Sequence, residues 1–321
     1  EVYNMLSEFK AAKFRFTIVA REEMVLPAFK GSMLRGGFGH VFKKACCVSK
    51  QGDCASCLIK TSCPYAYVFE PSPPDSARHF SSNENLPRPY VFEPPLDDQK
   101  HFNVGDVLRF NLVLIGKAID YLPYFIFALK ELGEIGIGRE WAKYRLSLVE
   151  AIDVFTDEGT PIFDERDGSL SDDKKIINAS TYLDGMNRLP EDKVLVNFLS
   201  PTRIKFDKRW LFDEIPFVGL IQSLTTRLNN LNTYFCGGAW NNELRTLRDW
   251  ATCVGILSTD IRKHSVARYS SRQEKKDSLS GVIGQVLYAG DLKTFYPILM
   301  LGQVVHVGKG CVFGCGRYEV N

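Results

Sequence analysis

Apolar and polar residues first fall into a clear rhythm at Phe14-Arg15-Phe16-Thr17-Ile18-Val19-Ala20. This run of β formers opens in alternation and predicts a strand. Pro27 ends it. From Gly31 to Ala45 the period lengthens: Met33, Leu34, Phe38, Val41 and Phe42 recur at helical spacing and predict an amphipathic helix. Gly36-Gly37 weakens that helix, at about 1 kcal/mol per glycine relative to alanine. These positions are therefore expected to serve close packing or the approach of a ligand. Two similar pieces, Tyr67-Val68-Phe69-Glu70-Pro71 and Tyr90-Val91-Phe92-Glu93-Pro94, read as short strands ended by proline, with a polar loop from Pro71 to Pro89 between them. Val107 to Ile115 predicts a strand, Tyr121 to Leu132 an apolar helix, Gly133 to Arg139 a glycine turn, and Tyr144 to Val154 another strand.

The second half repeats this order. Val194 to Phe206 predicts a strand interrupted by Pro201, Phe217 to Tyr234 a helix, and His264 to Tyr288 a long hairpin. Leu292 to Val305 predicts a helix, Gly302 to Gly316 a glycine turn, and Arg317 to Val320 a closing strand. Leu132 to Leu148 and Leu301 to Val320 thus share a helix, glycine turn and strand. The economical reading is an α+β chain of two tandem ferredoxin-like (RRM-like, βαββαβ) domains, residues 1–155 and 191–321. Residues 156–190 are polar and predict a linker with a small hairpin.

The chain of 321 residues carries a formal net charge of +2, so a nucleic-acid surface has to be a local patch. Its apolar runs are too short to span a bilayer, which predicts no membrane association. Of nine cysteines, five lie between Cys46 and Cys63. That clustering predicts a metal site in a reducing cytoplasm rather than a disulfide framework. Cys47, Cys54, Cys57 and Cys63 offer four thiolates in a compact module, about residues 46–66, inserted in the first domain. A closed four-cysteine set suits structural zinc. The same ligands suit an iron–sulfur cluster, and Cys46 could replace Cys47 as the first ligand.

Two stretches point to phosphate. Arg262 to Lys276 holds six lysines and arginines and one acid. Within it Arg262, Lys263, His264, Arg268, Arg272 and Lys275 are candidate backbone contacts, and Tyr269 offers a stacking face for a base. In the tail, Gly308, Lys309, Gly310, Gly314, Gly316 and Arg317 form a glycine-rich turn whose amides are expected to be exposed as an anion-binding concavity. Its spacing is neither a Walker A loop nor a dinucleotide fingerprint.

Several of these pieces together resemble a known family. They are Gly31-Ser32-Met33-Leu34-Arg35-Gly36-Gly37-Phe38-Gly39-His40, the module from Cys54 through Cys63-Pro64-Tyr65-Ala66-Tyr67, Arg268 to Gln273, and Gly308-Lys309-Gly310 through Phe313-Gly314-Cys315-Gly316-Arg317. In this order they are similar to CRISPR precursor-RNA processing endoribonucleases of the RAMP superfamily, in a cysteine-bearing branch. The resemblance implies a glycine-rich loop that contacts CRISPR repeat RNA. It also implies cleavage without a catalytic metal: the 2′-hydroxyl attacks the adjacent phosphate, leaving a 2′,3′-cyclic phosphate and a 5′-hydroxyl. Other Cas proteins of an effector or adaptation complex are implied partners; a non-catalytic RNA-binding subunit of an effector complex is the alternative reading. His40 lies on the first helix, where the family often places a catalytic histidine, and imidazole suits both proton roles. Lys43 and Lys44, at i+3 and i+4, share its face and could supply a cation. Tyr65, Tyr67 and Tyr269 are possible further participants. Arg35 on the same helix is a candidate RNA contact. His306, just before Gly308-Lys309-Gly310, could reach a phosphate or act as a cation at the helix C-terminus.

Overall fold

The computed structural model describes residues 2–48, 53–54, 56–72, 86–182, 189–270 and 275–321. It divides into two compact units, residues 11–176 and residues 177–321 together with the first ten residues. One helical turn, α1 (Val2–Met5), precedes β1 (Lys10–Ala20). The first unit continues with β2 (Met24–Val25), α2 (Gly31–Cys46), α3 (Pro64–Phe69), β3 (Tyr90–Glu93), β4 (His101–Phe102) and β5 (Val107–Ile115). It closes with α4 (Leu122–Ile135), β6 (Tyr144–Ile152) and β7 (Gly159–Asp164). Its main sheet runs β3-β5-β1-β6-β7, antiparallel throughout.

The alternation read in β1 sets the layers. Phe14, Phe16 and Ile18 are buried, as are Leu108, Phe110 and Leu112 on β5. Phe16 and Phe110 stack across the two strands at 5.6 Å. On the other face Lys13 pairs with Glu93 at 2.8 Å and Arg15 with Asp157 at 2.6 Å. The helices join the core through aromatic rings: Phe38 of α2 lies 5.0 Å from Phe125 of α4 and 5.3 Å from Phe92 of β3. A Cβ on Gly37 would meet Leu132 Cδ1 at 2.9 Å, so this glycine lets α2 and α4 close on each other.

Two expectations for this unit need correction. Of Tyr67 to Pro71, read as a strand, Tyr67 to Phe69 form the end of helix α3 and Glu70 and Pro71 lie beyond it. Pro64 sits in its first turn, where a missing N–H costs nothing, and the Phe69 ring packs 5.7 Å from Phe38 and 5.5 Å from Phe42. So short an apolar run is ambiguous between strand and helix, and tertiary packing decides it. Residues 156–190, expected as a linker with a small hairpin, supply β7 and carry the first unit past the expected boundary at residue 155. β7 pairs with β6 across a turn in which the Asp153 carboxylate accepts the Phe155 amide at 2.9 Å, so the first unit runs on to residue 176.

β8 (Ile176–Asn178) straddles the division. The second unit then holds β9 (Lys193–Thr202), β10 (Lys205–Phe206), β11 (Arg209–Trp210), α5 (Phe217–Phe235) and α6 (Thr246–Ala251). It ends with β12 (Gly255–Ser270), β13 (Lys275–Ala289), α7 (Tyr296–Val305) and β14 (Tyr318–Val320). The sheet order is β12-β13-β9-β14. In each unit the order of major elements is strand, helix, strand, strand, helix, strand. The repeat extends to detail. Tyr144 Oη donates to Leu129 O and Tyr318 Oη to Leu299 O, both at 2.6 Å. In each case a strand tyrosine is tied to the preceding helix. A glycine of that helix makes room for it: a Cβ on Gly133 would fall 2.5 Å from Tyr144 O, and one on Gly302 would fall 2.1 Å from Tyr318 Oη. Gly133, expected in a turn, is therefore inside α4; the chain turns at Gly136, whose φ is 103°.

Candidate functional site

In the first unit the candidate residues stand on α2. Its buried residues are Gly31, Leu34, Phe38, Val41 and Phe42. Opposite them Gly36, His40 and Lys44 form an exposed stripe at i, i+4 spacing. A Cβ at Gly36 would have nothing within 4 Å, so a ligand can lie close to the backbone there. Lys43 is turned differently: its Nζ lies 5.3 Å from the Tyr65 ring centroid, a cation–π contact. Arg35 is half-buried, with its guanidinium 5.4 Å over the Phe69 ring. It also faces Tyr90, whose hydroxyl is pushed up by full burial and partly eased by the Arg35 charge. Arg35 is therefore committed to the core of its unit rather than displayed as an RNA contact.

Cys47, Cys54, Cys57 and Cys63 border one pocket of about 20 Å³, together with Tyr65. Among the described residues no three His, Cys, Asp or Glu side chains converge tightly enough to form a metal-holding group. The thiols are thus neighbours around one small space, each half-buried and none in a disulfide. Cys46 lies outside that lining; burial first, then Cys63 and Cys47, push its thiol up to about 12. The Cys54 thiol is also raised, chiefly by burial and then by Glu70, with Lys43 acting against it.

In the second unit the glycine-rich turn is more closed than its composition suggests. Gly308, Gly310, Gly314 and Gly316 all have positive φ, between 71° and 86°. At Gly316 a Cβ would fall 1.8 Å from Val307 O, so glycine is obligatory. Gly314 and Gly316 are buried, and their amides donate to Cys311 O at 2.8 Å and Pro201 O at 3.1 Å. These two amides are not exposed for phosphate, contrary to expectation, because the turn closes on its own Cys311 carbonyl and β9 offers it the Pro201 carbonyl. Gly308 and Gly310 differ: among the described residues their amides donate no hydrogen bond. They flank the exposed Lys309, and Arg317 beyond them is half-buried. His306 is a second correction. It is fully buried, with Nδ1 3.0 Å from Cys315 O and a φ of 64°, so it shapes the turn from inside and reaches no phosphate.

The hairpin β12–β13 begins earlier than expected, at Gly255. β9 pairs with β13 only between Val282 and Ala289, so beyond that point the two strands pair with each other alone. Arg262, Lys263 and His264 are exposed on this ribbon, and Lys263 reaches Asp213 at 3.0 Å. Arg268 pairs in register with Asp277, Tyr269 with Lys276 and Ser270 with Lys275. Arg272 lies outside the described residues.

The structure adds a group that the sequence reading passed over. The short hairpin β10–β11 turns at Asp207 and Lys208, with φ values of 44° and 66°. Arg203 lies 4.1 Å over the Trp210 ring and Lys205 5.8 Å from it. Lys205, Lys208 and Arg209 are exposed and, among the described residues, have no acidic partner. Arg203 O accepts the Lys309 amide at 2.9 Å, which ties this cationic hairpin to the glycine turn. The signal was present as Arg203-Ile204-Lys205-Phe206-Asp207-Lys208-Arg209-Trp210, an interleaving of basic and aromatic residues typical of nucleic-acid surfaces.

Comparison with known proteins covers both units. Residues 9–175 match the family model AF_1859_N, described as an N-terminal domain, and residues 196–318 match the model described as CRISPR-associated endoribonuclease Cas6. An uncharacterized protein of Archaeoglobus fulgidus is 26% identical over 302 residues, covering 92% of each chain. Among solved structures, a Cas6 product complex superposes with a TM-score of 0.57 at 14% identity, covering 97% of this chain and 99% of that one. Thermus thermophilus Cas6 gives 0.52 at 13% identity, covering 98% and 99%. A partial Cas6-RT-Cas1–Cas2 complex gives 0.58 at 14% identity; 98% of this chain is covered, but the match spans 46% of that larger chain. The matched models divide where the molecule divides: the first unit carries the domain of the AF_1859_N family, and residues 196–318 of the second match the CRISPR-associated endoribonuclease Cas6 model.

Proposed function

We propose that this protein binds CRISPR repeat RNA and cuts the precursor transcript, with the RNA's own 2′-hydroxyl as nucleophile. The observation that carries the reading is the match of residues 196–318 to the Cas6 endoribonuclease model. The strand orders β3-β5-β1-β6 and β12-β13-β9-β14 support the assignment of two ferredoxin-like units.

In the proposed reaction the 2′-oxygen forms a bond to phosphorus as the bond to the 5′-oxygen breaks. A base takes the 2′-hydroxyl proton and an acid returns a proton to the leaving 5′-oxygen. His40 is exposed on α2 and serves one of these transfers, worth roughly 10²–10⁴ in rate. Lys44, one turn on and exposed, places a cation where charge develops on the phosphate oxygens. Lys43 is held against Tyr65 and contributes field rather than contact. Lys309, the amides of Gly308 and Gly310, and the cations Lys205, Lys208 and Arg209 receive the RNA backbone.

Zinc fits the cysteine module by donor chemistry: four thiols border one space the size of a single small occupant. Cys47, Cys54, Cys57 and Cys63 would hold it, and it would supply cross-linking of the loop rather than catalysis. The Cas6-RT-Cas1–Cas2 complex among the structural neighbours supports other Cas proteins as partners.

The test is incubation of the protein with repeat RNA in EDTA, with mapping of the cut ends. A single cut is expected, leaving a 2′,3′-cyclic phosphate and a 5′-hydroxyl, and a 2′-deoxy substitution at that position should abolish it. RNA that is shifted on a gel but never cut would reduce the protein to a binding subunit.

A further inference from the structure

A pocket of about 410 Å³ opens in the second unit where the first ten residues meet the C-terminal end of α5. That volume lies within the range of small-molecule sites. Its chemistry differs from that of the cationic surface. Four carboxamides line it, from Asn4, Asn232, Asn241 and Asn242, beside the indole of Trp240. Glu8 and Glu243 add carboxylates, and no lysine, arginine or histidine is among its described lining residues. Phosphate and other anions are therefore disfavoured, and a ligand rich in N–H donors is favoured.

The lining is built rather than incidental. Asn241 is held at both ends by Asn229, whose Nδ2 donates to Asn241 O at 2.8 Å and whose Oδ1 accepts the Asn241 amide at 3.1 Å. Trp240 Nε1 donates to Asn242 Oδ1 at 3.2 Å, which fixes the indole beside the opening. Asn232 O accepts the amides of Cys236 and Gly238, each at 3.1 Å, and so closes α5. Asn232 is 2% exposed, yet its side-chain Oδ1 has no hydrogen-bond partner among the described residues. A buried acceptor left unmatched costs the full desolvation of that group, which marks a place where a ligand donor would be rewarded. Gly238 packs so tightly on this carboxamide that a Cβ there would fall 2.2 Å from Asn232 Nδ2.

We propose that this pocket receives an unpaired nucleobase of RNA that bears an exocyclic amino group: adenine, cytosine or guanine in preference to uracil. The carboxamide presents a donor and an acceptor side by side, which matches a base edge. Carboxylates accept from exocyclic amino groups, and the indole supplies a stacking face. The proposal rests on the RNA-binding reading above for its choice of a base over other N–H-rich ligands.

The test uses the full chain and free nucleosides, which carry no phosphate and so do not report on the cationic surface. Saturation-transfer NMR with adenosine, cytidine, guanosine and uridine is expected to show binding through the base protons of the first three, at least tenfold stronger than uridine. Asn232→Leu should abolish this. Because Asn232 is buried and closes a helix, the exposed-side variant Asn242→Ala is measured in parallel and should weaken binding about fivefold or more with an unchanged melting curve. In the intact repeat RNA, Asn242→Ala should lower affinity without changing the salt dependence, since no phosphate contact is lost. RNA that binds normally to both variants, with no nucleoside saturating the protein, would overturn the pocket and leave the RNA reading standing. Nucleosides that bind while repeat RNA does not would keep the pocket and overturn the RNA reading.

Discussion

At position 40 a histidine faces solvent on one side of a helix whose other side is aromatic core. That combination suits proton transfer, because the backbone is fixed by Phe38 and Phe42 while the imidazole stays reachable. His40→Ala is therefore expected to slow cleavage of repeat RNA by about 10²–10⁴ while leaving binding within twofold; unchanged single-turnover rates would remove His40 from the chemistry. Its exposure was legible in the sequence, since a helical period places it between buried Leu34, Phe38, Val41 and Phe42 without joining them. The burial of His306 was not legible. Nothing near it in sequence shows that the turn beyond it folds back under Pro201 and Arg203 of the β9 segment and seals the ring inside.

Among the elements, the hairpin β10–β11 is a small motif with a specific task. It sets Lys205, Lys208 and Arg209 beyond the reach of any described carboxylate. Changing all three to alanine should lower RNA affinity and reduce the slope of log K against log salt by about 2, near 0.7 per lost contact on single strands. An unaltered slope would return the hairpin to an ordinary solvated turn. The cysteine module makes a different prediction. On the proposal that the four thiols hold zinc, a strong chelator or Cys57→Ser is expected to lower the melting temperature of the first unit and release about one metal per chain; an unchanged melting curve in a metal-free protein would end the structural-metal reading. Helix α3 shows why such elements are hard to read. Tyr67-Val68-Phe69-Glu70-Pro71 and Tyr90-Val91-Phe92-Glu93-Pro94 are the same five residues, yet the first ends a helix and the second forms a strand. What separates them is Pro64 three residues upstream and the aromatic neighbours each one meets.

Each unit runs strand, helix, strand, strand, helix, strand in its major elements, and the shared ending of helix, glycine turn and strand could be read from the sequence. The tyrosine bonds at Leu129 and Leu299 show the repeat at the level of single atoms. Each bond closes its own core. Tyr144→Phe and Tyr318→Phe should each cost about 0.5–1.5 kcal/mol by removing one buried hydrogen bond to a helix carbonyl, and the double variant should lose the sum to within about 0.5 kcal/mol. A strongly non-additive double variant would show that the two cores do not stand independently. Below that plan the division read from the sequence, at residue 155, fell short of the observed one at residue 176, because β7 lies in a polar stretch whose pairing with β6 leaves no period to detect.

The turn from Gly308 to Gly316 holds two populations of amide protons. Those of Lys309, Gly314 and Gly316 are locked onto carbonyls of Arg203, Cys311 and Pro201, whereas those of Gly308 and Gly310 have no partner among the described residues. In deuterated water the free protein should therefore exchange Gly308 and Gly310 early and the locked three late. Repeat RNA should slow the first pair and leave the others where they were. The same turn would then act as a rigid frame carrying two vacant donors, its stiffness set before the RNA arrives, so that little order remains to be imposed when a phosphate settles between them.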